Sequence, residues 1–144
     1  MILVADASVL VAELLRKRGR VLLSHPDLRI VVAEEQWEET EHELGRRMAI
    51  IVERAQLTAH QAQALQEAVE ALIDARLIEV IPRAFYEHLK PAARRRVPRD
   101  PNDWAPVALA LALGIGILTG DQDFLGCGCP TWTVETLRAE LDQE

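Results

Sequence analysis

Short apolar runs alternate with longer amphipathic segments along this chain, and that alternation restricts the fold more than any other feature of the sequence. Residues 2–5 form an apolar run that stops at Asp6, and apolar residues at helical spacing follow it. The pattern recurs, with strands predicted at 28–33, 77–81, 115–119 and 131–134 and helices at 34–54, 59–76, 104–113 and the C terminus. Alternating strands and helices predict an α/β fold, a three-layer α/β/α arrangement with a central parallel sheet.

One segment is weaker in pattern than the rest. Residues 83–99 lack a sustained apolar period and contain the run Arg94-Arg95-Arg96 followed by Arg99. We expect one short helix and a basic loop there.

Length and composition indicate one compact globular domain that spans residues 1–144. The chain is 49% hydrophobic and 27% charged, which is typical of globular proteins. No apolar run reaches the roughly 20 residues of a membrane helix, and Asp6 and Glu13 interrupt the apolar N-terminal stretch. We therefore expect a cytoplasmic protein with no membrane segment.

Charge and motifs exclude several function classes. The net charge of -7 is opposite in sign to that of a general nucleic-acid binder, so such a function would need a local basic patch or a bound metal. Cys127 and Cys129 lie one residue apart without a second Cys or His pair, so we expect reduced thiols rather than a zinc site. No Gly-x-Ser-x-Gly motif and no glycine-rich phosphate loop is present.

Acidic residues follow or precede the predicted strands at one edge of the sheet. Asp6 ends the first strand, Asp121 and Asp123 follow the strand at 115–119, and Asp103 opens the helix that leads into that strand. Because ligands of open α/β sheets bind at the carboxyl ends of the strands, these acids are expected to converge. Clustered carboxylates repel one another unless a hard cation neutralises them, so a Mg²⁺ or Mn²⁺ site is indicated. The alternative is that each Asp is a helix cap or a turn residue.

Both ends of the chain resemble the PIN-domain family, a nuclease fold used by many bacterial toxins of toxin–antitoxin pairs. The segment VADASVLVAELL resembles the family's opening strand, with its acid at Asp6 and a small residue at Ser8. The segment DWAPVALALALGIGILTGDQDF resembles its most specific part, in which an acid opens an Ala-rich helix and a strand ending in Thr119 precedes Asp121, Asp123 and Phe124.

The resemblance also implies a glutamate early in the helix after the second strand. Six glutamates lie between residues 34 and 43, and Glu39 is the best match in register after residues 31–33. Glu43, one turn later, and Glu35, one turn earlier, remain alternatives.

The resemblance implies a Mg²⁺- or Mn²⁺-dependent ribonuclease with RNA as its substrate. Its catalytic acids would be Asp6, Glu39, Asp103 and Asp121, with Asp123 supporting the metal as a ligand or outer-sphere group. Ser8 and Thr119 would orient the carboxylates, with a plain cap or strand-end hydroxyl as the alternative reading. An acidic pocket needs cations at its rim to bind a phosphate backbone, and the candidates for this role are Arg94, Arg95, Arg96 and Arg99.

The family also indicates partners. Toxin-type members commonly form homodimers and are held in check by an antitoxin protein, and the apolar stripes of the helices at 34–54 and 59–76 fit a homodimer. The alternatives are a catalytically weak RNA-binding or scaffold subunit, and a housekeeping RNA-processing nuclease without an antitoxin.

Overall fold

The computed structural model describes residues 1–54 and 56–143, which fold around a five-stranded sheet. The strands are β1 (Ile2–Ala5), β2 (Arg29–Ala33), β3 (Ile78–Ile81), β4 (Gly116–Leu118) and β5 (Thr131–Trp132). Their order in the sheet is β3-β2-β1-β4-β5, and every neighbouring pair is parallel. The predicted α/β class and the central parallel sheet are confirmed.

Helices connect the strands. They are α1 (Ala7–Leu14), α2 (Lys17–Leu23), α3 (Glu34–Glu53), α4 (Ala59–Asp74), α5 (Lys90–Arg96), α6 (Trp104–Leu113) and α7 (Val134–Asp142). Helix α6 ends at Gly114, whose φ of 67° gives the left-handed turn that glycine adopts without a Cβ clash. Among the described residues, no helix combines the length and apolarity needed to span a membrane.

Two apolar clusters cover the two faces of the sheet and make the three layers. Because side chains alternate along a strand, Leu3 and Ala5 of β1 enter one cluster and Val4 enters the other. The first cluster takes residues from α1, α2, α3, α4 and α7, and the second takes residues from α5 and α6. The most apolar helix, α6, is buried from Trp104 to Ala110.

The central strands position the acids. β1 and β4 are neighbours, and their register pairs Ala5 with Leu118. The residues that follow, Asp6 and Thr119, therefore meet at the carboxyl edge of the sheet. The 3₁₀ turn Pro101–Asp103 leads into α6, which packs on β1 and β2.

The structure corrects three sequence predictions in detail. A separate helix, α2, follows α1 where the sequence analysis placed none. The arginines Arg94, Arg95 and Arg96 form the last turn of α5 instead of lying in a loop, because Ala93 and Val97 are buried and anchor that turn in the second cluster. The last strand is also shorter than 131–134, because Thr133 caps α7 and Val134 begins it.

Candidate metal centre

Asp6 is a buried acid fixed by two hydrogen bonds. Asp6 is 4% exposed, and one of its carboxylate oxygens accepts the Val9 N–H at 2.8 Å, which caps α1. Its other oxygen accepts the hydroxyl of Thr119, which is also 4% exposed. Burial raises the pKa of Asp6, and the charges of Asp121 and Glu39 raise it further, against the lowering effect of these hydrogen bonds.

Three further acids cluster at the carboxyl edge of the sheet. Each of Asp103, Asp121 and Asp123 offers a carboxylate oxygen, and these oxygens lie within 4.8 Å of one another. One Asp121 oxygen accepts the Asp123 N–H at 2.8 Å, so the short 3₁₀ turn Gln122–Phe124 holds the last two acids together. The four Asp residues predicted from the sequence are thus brought to one edge.

Asp103 does not behave as a helix cap. It occupies the position before α6, yet its side chain makes no capping hydrogen bond, whereas Asp100 accepts the Asn102 N–H at 3.2 Å. Burial raises the pKa of Asp103 to about 6, with contributions from Asp100, Asp121, Asp6 and Asp123. The capping alternative for Asp103 is therefore wrong, and its carboxylate is left to repel the neighbouring acids.

The three candidate glutamates of α3 have different surroundings. Glu43 is bound by Arg46 and by Arg47 at 3.2 Å, and these arginines lower its pKa to about 2. Glu35 contacts Arg83 at 3.0 Å and accepts the hydroxyl of Tyr86.

Glu39 differs from both. Among the described residues it forms no ion pair, and its charge contributes to raising the pKa of Asp6. It lines a cavity of about 230 Å³ beside Ser8 of α1, and Glu43 and Arg47 line the same cavity, so the difference between the two glutamates is the ion pairing of Glu43.

The two predicted hydroxyl residues also differ. Thr119 donates to Asp6 and accepts the Asp121 N–H at 2.9 Å, so one side chain joins two of the acids. Ser8 is exposed on α1, and its hydroxyl makes no hydrogen bond to an acid within the part of the chain that the structure describes. Thr119 therefore has the geometry of an orienting group, and Ser8 does not.

Comparison with known proteins agrees with this geometry. A family model described as PIN domain matches residues 4–142. The chain belongs to the PIN-domain family. Proteins with a PIN domain are generally nucleases that bind RNA and use divalent metals. A search of curated proteins by sequence finds no significant match.

Among solved structures, the PIN-domain chain is similar to the crystal structure of PAE2754 from Pyrobaculum aerophilum. The TM-score is 0.63 at 18% sequence identity, and the alignment covers 100% of this chain and 91% of that one. At this identity the likeness shows the three-layer fold and nothing about activity.

The acids fit a divalent cation of the kind that PIN domains use. Among the described residues, one cation pairs with the cluster, Arg99, whose side chain is 81% exposed and lies 3.9 Å from Asp123. An exposed pair of this length offsets little charge. Closely spaced carboxylate oxygens without a buried cation are the ligands that Mg²⁺ and Mn²⁺ prefer. Asp103, Asp121 and Asp123 could therefore hold such an ion beside Asp6.

The four arginines predicted to form the basic rim have two different positions in the structure. Arg99 and Arg96 line a cavity of about 380 Å³ that Asp123 also lines. Arg96 donates to the Cys127 carbonyl at 3.0 Å, so it also fixes the loop after the acids. Arg94 and Arg95 are exposed on α5 and do not line that cavity.

Several residues near this PIN-domain centre were not singled out in the sequence. Gln36 is buried and accepts the Ala7 N–H at 2.7 Å, which ties α3 to the first turn of α1. Arg83 and Lys90 lie 5.4 Å and 4.8 Å from the centre of the Trp104 ring, which is buried beside Asp103. The sequence feature that could have indicated Gln36 is its position as a polar residue in the first turn of α3, a helix with an apolar face. The cations have no local signal, because their approach to Trp104 depends on the chain after β3.

Proposed function

We propose that this PIN-domain protein is a metal-dependent endoribonuclease that hydrolyses phosphodiester bonds of RNA. The observation that carries the proposal is the cluster of Asp103, Asp121 and Asp123, whose ligand oxygens lie within 4.8 Å of one another. Three acids from two separate segments meet here beside buried Asp6, an arrangement that capping alone does not require.

In this proposal the acidic residues have different roles. Asp103, Asp121 and Asp123 hold Mg²⁺ or Mn²⁺, with Asp6 and Glu39 completing the acidic wall. A metal held there would lower the pKa of a bound water and would offset the negative charge that develops on the leaving oxygen. The Thr119 hydroxyl fixes the Asp6 carboxylate by a hydrogen bond. Arg99 and Arg96 attract the phosphate backbone to the rim.

The biological role proposed is that of a toxin whose partner antitoxin blocks the acidic site. The toxin role is consistent with the sequence prediction of a single cytoplasmic domain, residues 1–144, that forms a homodimer. An apolar concavity of about 550 Å³ between α3 and α4, with Met48, Val52 and Ala62 in its wall, supports a protein partner on that hairpin. Light scattering tests the dimer, and co-expression with the product of an adjacent small gene tests the antitoxin.

A second candidate is an RNA-binding or scaffold subunit that retains the fold without cleavage. The net charge of -7 favours the scaffold form of this candidate, because such a charge opposes association with a polyanion. A housekeeping RNA-processing nuclease is the third candidate, and it differs from the toxin only in lacking an antitoxin.

Calorimetric titration of Mn²⁺ into the wild type and into Asp103→Asn tests the acidic site, and chelator-sensitive RNA cleavage separates enzyme from scaffold. Asn keeps the shape of the side chain and removes the charge that a hard cation needs. We expect saturable binding that weakens at least 10-fold in the variant, and RNA cleavage that a chelator stops. Absence of Mn²⁺ binding by the wild type would reject the metal-dependent nuclease.

A further inference from the structure

A cavity of about 570 Å³ adjoins the acid cluster between α1 and α7. Asp121 forms part of its wall, so the cavity opens onto the proposed metal centre. Its polar wall includes Ser8, Glu13, Arg16, Thr133 and Arg138. The volume lies within the roughly 300 to 1,000 Å³ of small-ligand sites.

Arg138 is a cation fixed in that wall. Its guanidinium lies 3.6 Å from the Glu13 carboxylate, whose side chain is 8% exposed, and it also donates to the Arg18 carbonyl at 3.5 Å. A buried carboxylate of α1 thus holds a side chain of α7. Because Glu13 neutralises Arg138, the pair adds almost no net charge to the cavity. The Arg138 guanidinium is nevertheless held in position as a hydrogen-bond donor.

Arg16 is a cation without such a partner. It precedes α2, is exposed, and forms no ion pair within residues 1–54 and 56–143. Glu13, Asp121 and Glu135 line the same cavity as Arg16 and Arg138, so its wall carries more carboxylates than guanidiniums and is not basic overall. The unpaired guanidinium is therefore placed to bind one phosphate and does not form a broad basic patch.

The cavity also has an apolar wall. Val9, Ala12 and Val134 line it beside the charged groups. A nucleotide matches both parts of the wall, because its phosphate can bind the guanidinium and the apolar face of its base can pack on the apolar side chains. An inorganic anion would use only the first.

A second cavity with arginines in its wall adjoins the acids at another point. The cavity of Arg96 and Arg99 includes Asp123, and it shares no lining residue with the cavity of Arg16 and Arg138, which includes Asp121. An RNA strand whose scissile phosphate lies at the acids would then have cations available along both adjoining segments. The basic run at 94–99 provides only one of these.

We propose that the cavity between α1 and α7 is a nucleotide subsite for single-stranded RNA, in which Arg16 binds the phosphate next to the scissile one and Arg138 is the positioned second donor. The inference rests on the proposed ribonuclease function and adds to it a second binding segment. It assigns the RNA-binding role to residues of α7 and of the α1–α2 connection.

The test measures the affinity of a fluorescein-labelled eight-nucleotide single-stranded RNA by fluorescence anisotropy in Ca²⁺, with a gel to show that the RNA stays intact. Arg16→Ala is compared with Arg29→Ala, which removes the same charge at the amino end of β2, the opposite edge of the sheet. We expect Arg16→Ala to weaken binding about 5- to 10-fold and to reduce the slope of log K against log salt by about 0.7, the value for one phosphate contact of a single strand. Arg29→Ala should change the affinity less than 2-fold.

Two further measurements keep the outcomes distinct. Arg16→Lys should recover most of the lost affinity, and Mn²⁺ titration of Arg16→Ala should match the wild type, since Arg16 is not a metal ligand. If the wild type binds and cleaves RNA while Arg16→Ala and Arg29→Ala behave alike, the subsite is rejected and the ribonuclease stands. If the wild type neither binds nor cleaves RNA, both proposals are rejected.

Discussion

The hydroxyl of Thr119 donates to the carboxylate of Asp6, although 113 residues separate the two in the chain. The parallel pairing of β1 with β4 creates this contact, because the residues after Ala5 and Leu118 emerge side by side. The same hydroxyl accepts the Asp121 N–H at 2.9 Å, so one side chain aligns acids from both central strands. Removing it should therefore disturb the whole site.

Thr119→Val is expected to weaken Mn²⁺ binding about 10- to 100-fold, the usual effect of losing a group that orients a metal ligand. Val has the shape of Thr but leaves the buried Asp6 oxygen and the Asp121 N–H without their partner, at a cost of about 1 to 3 kcal/mol in the free energy of unfolding. Calorimetry measures the first effect and urea unfolding the second. Thr119→Ser, which keeps the hydroxyl, is the control, and equal losses in both variants would contradict the role of the hydrogen bonds.

The convergence of the Asp residues could be predicted from the sequence because it follows from topology. Acids placed after parallel strands must meet at one edge, whatever the details of packing. Asp6, Asp103 and Asp121 needed only that rule, and the resemblance to the PIN-domain family added Glu39. Helix α2 could not be predicted from the sequence pattern. Its position depends on the contact of Gly19 with the Glu13 backbone, and no local apolar period indicates such a contact.

The choice among glutamates and the position of Arg138 depend on packing between helices. Glu35, Glu39 and Glu43 lie on one helical face in sequence, and only the arginines and tyrosine around them distinguish them. Arg138 meets Glu13 through the docking of α7 on α1, which periodicity does not encode.

Glu39→Gln and Glu43→Gln form a matched pair that tests which glutamate serves the site. Glu39 raises the pKa of Asp6, whereas Glu43 is held by Arg46 and Arg47. We expect Glu39→Gln to lower RNA cleavage in Mn²⁺ at least 10-fold and Glu43→Gln to lower it less than 3-fold. Cleavage rates at fixed Mn²⁺ give the comparison, and a larger loss in Glu43→Gln would reverse the assignment.

The metal-free protein is expected to lose stability as pH rises from about 4 to 6. Burial and neighbouring acids raise the pKa of Asp103 from 3.8 to about 6, so the folded state binds a proton that the unfolded chain releases. The stabilising contribution is complete below pH 3.8 and is lost as pH rises through about 6. In a chelator, Asp103→Asn should therefore melt at a higher temperature than the wild type at pH 7.5.

At pH 4 the melting temperatures of Asp103→Asn and the wild type should converge, because the wild-type carboxyl is then protonated. Addition of Mn²⁺ at pH 7.5 should raise the melting temperature of the wild type and leave that of the variant nearly unchanged. A difference between the two proteins that stays constant across pH would show that Asp103 acts through shape and not through charge.

Gly128→Ala is expected to destabilise the loop after the acids more than Gly126→Ala does. Both glycines have positive φ, 88° and 83°, so an Ala at either costs about 1 kcal/mol or somewhat more in backbone strain. A Cβ at Gly128 would also lie 2.2 Å from the Arg96 guanidinium, whereas one at Gly126 meets nothing within 4 Å. The displaced Arg96 would lose its bond to the Cys127 carbonyl, whereas Gly126→Ala would leave that bond in place although Gly126 lines the same cavity as Arg96. Stability and RNA affinity should therefore both fall further in Gly128→Ala than in Gly126→Ala. Urea unfolding and RNA anisotropy of the two variants give the comparison, and equal effects in both would show that the Arg96 contact contributes nothing.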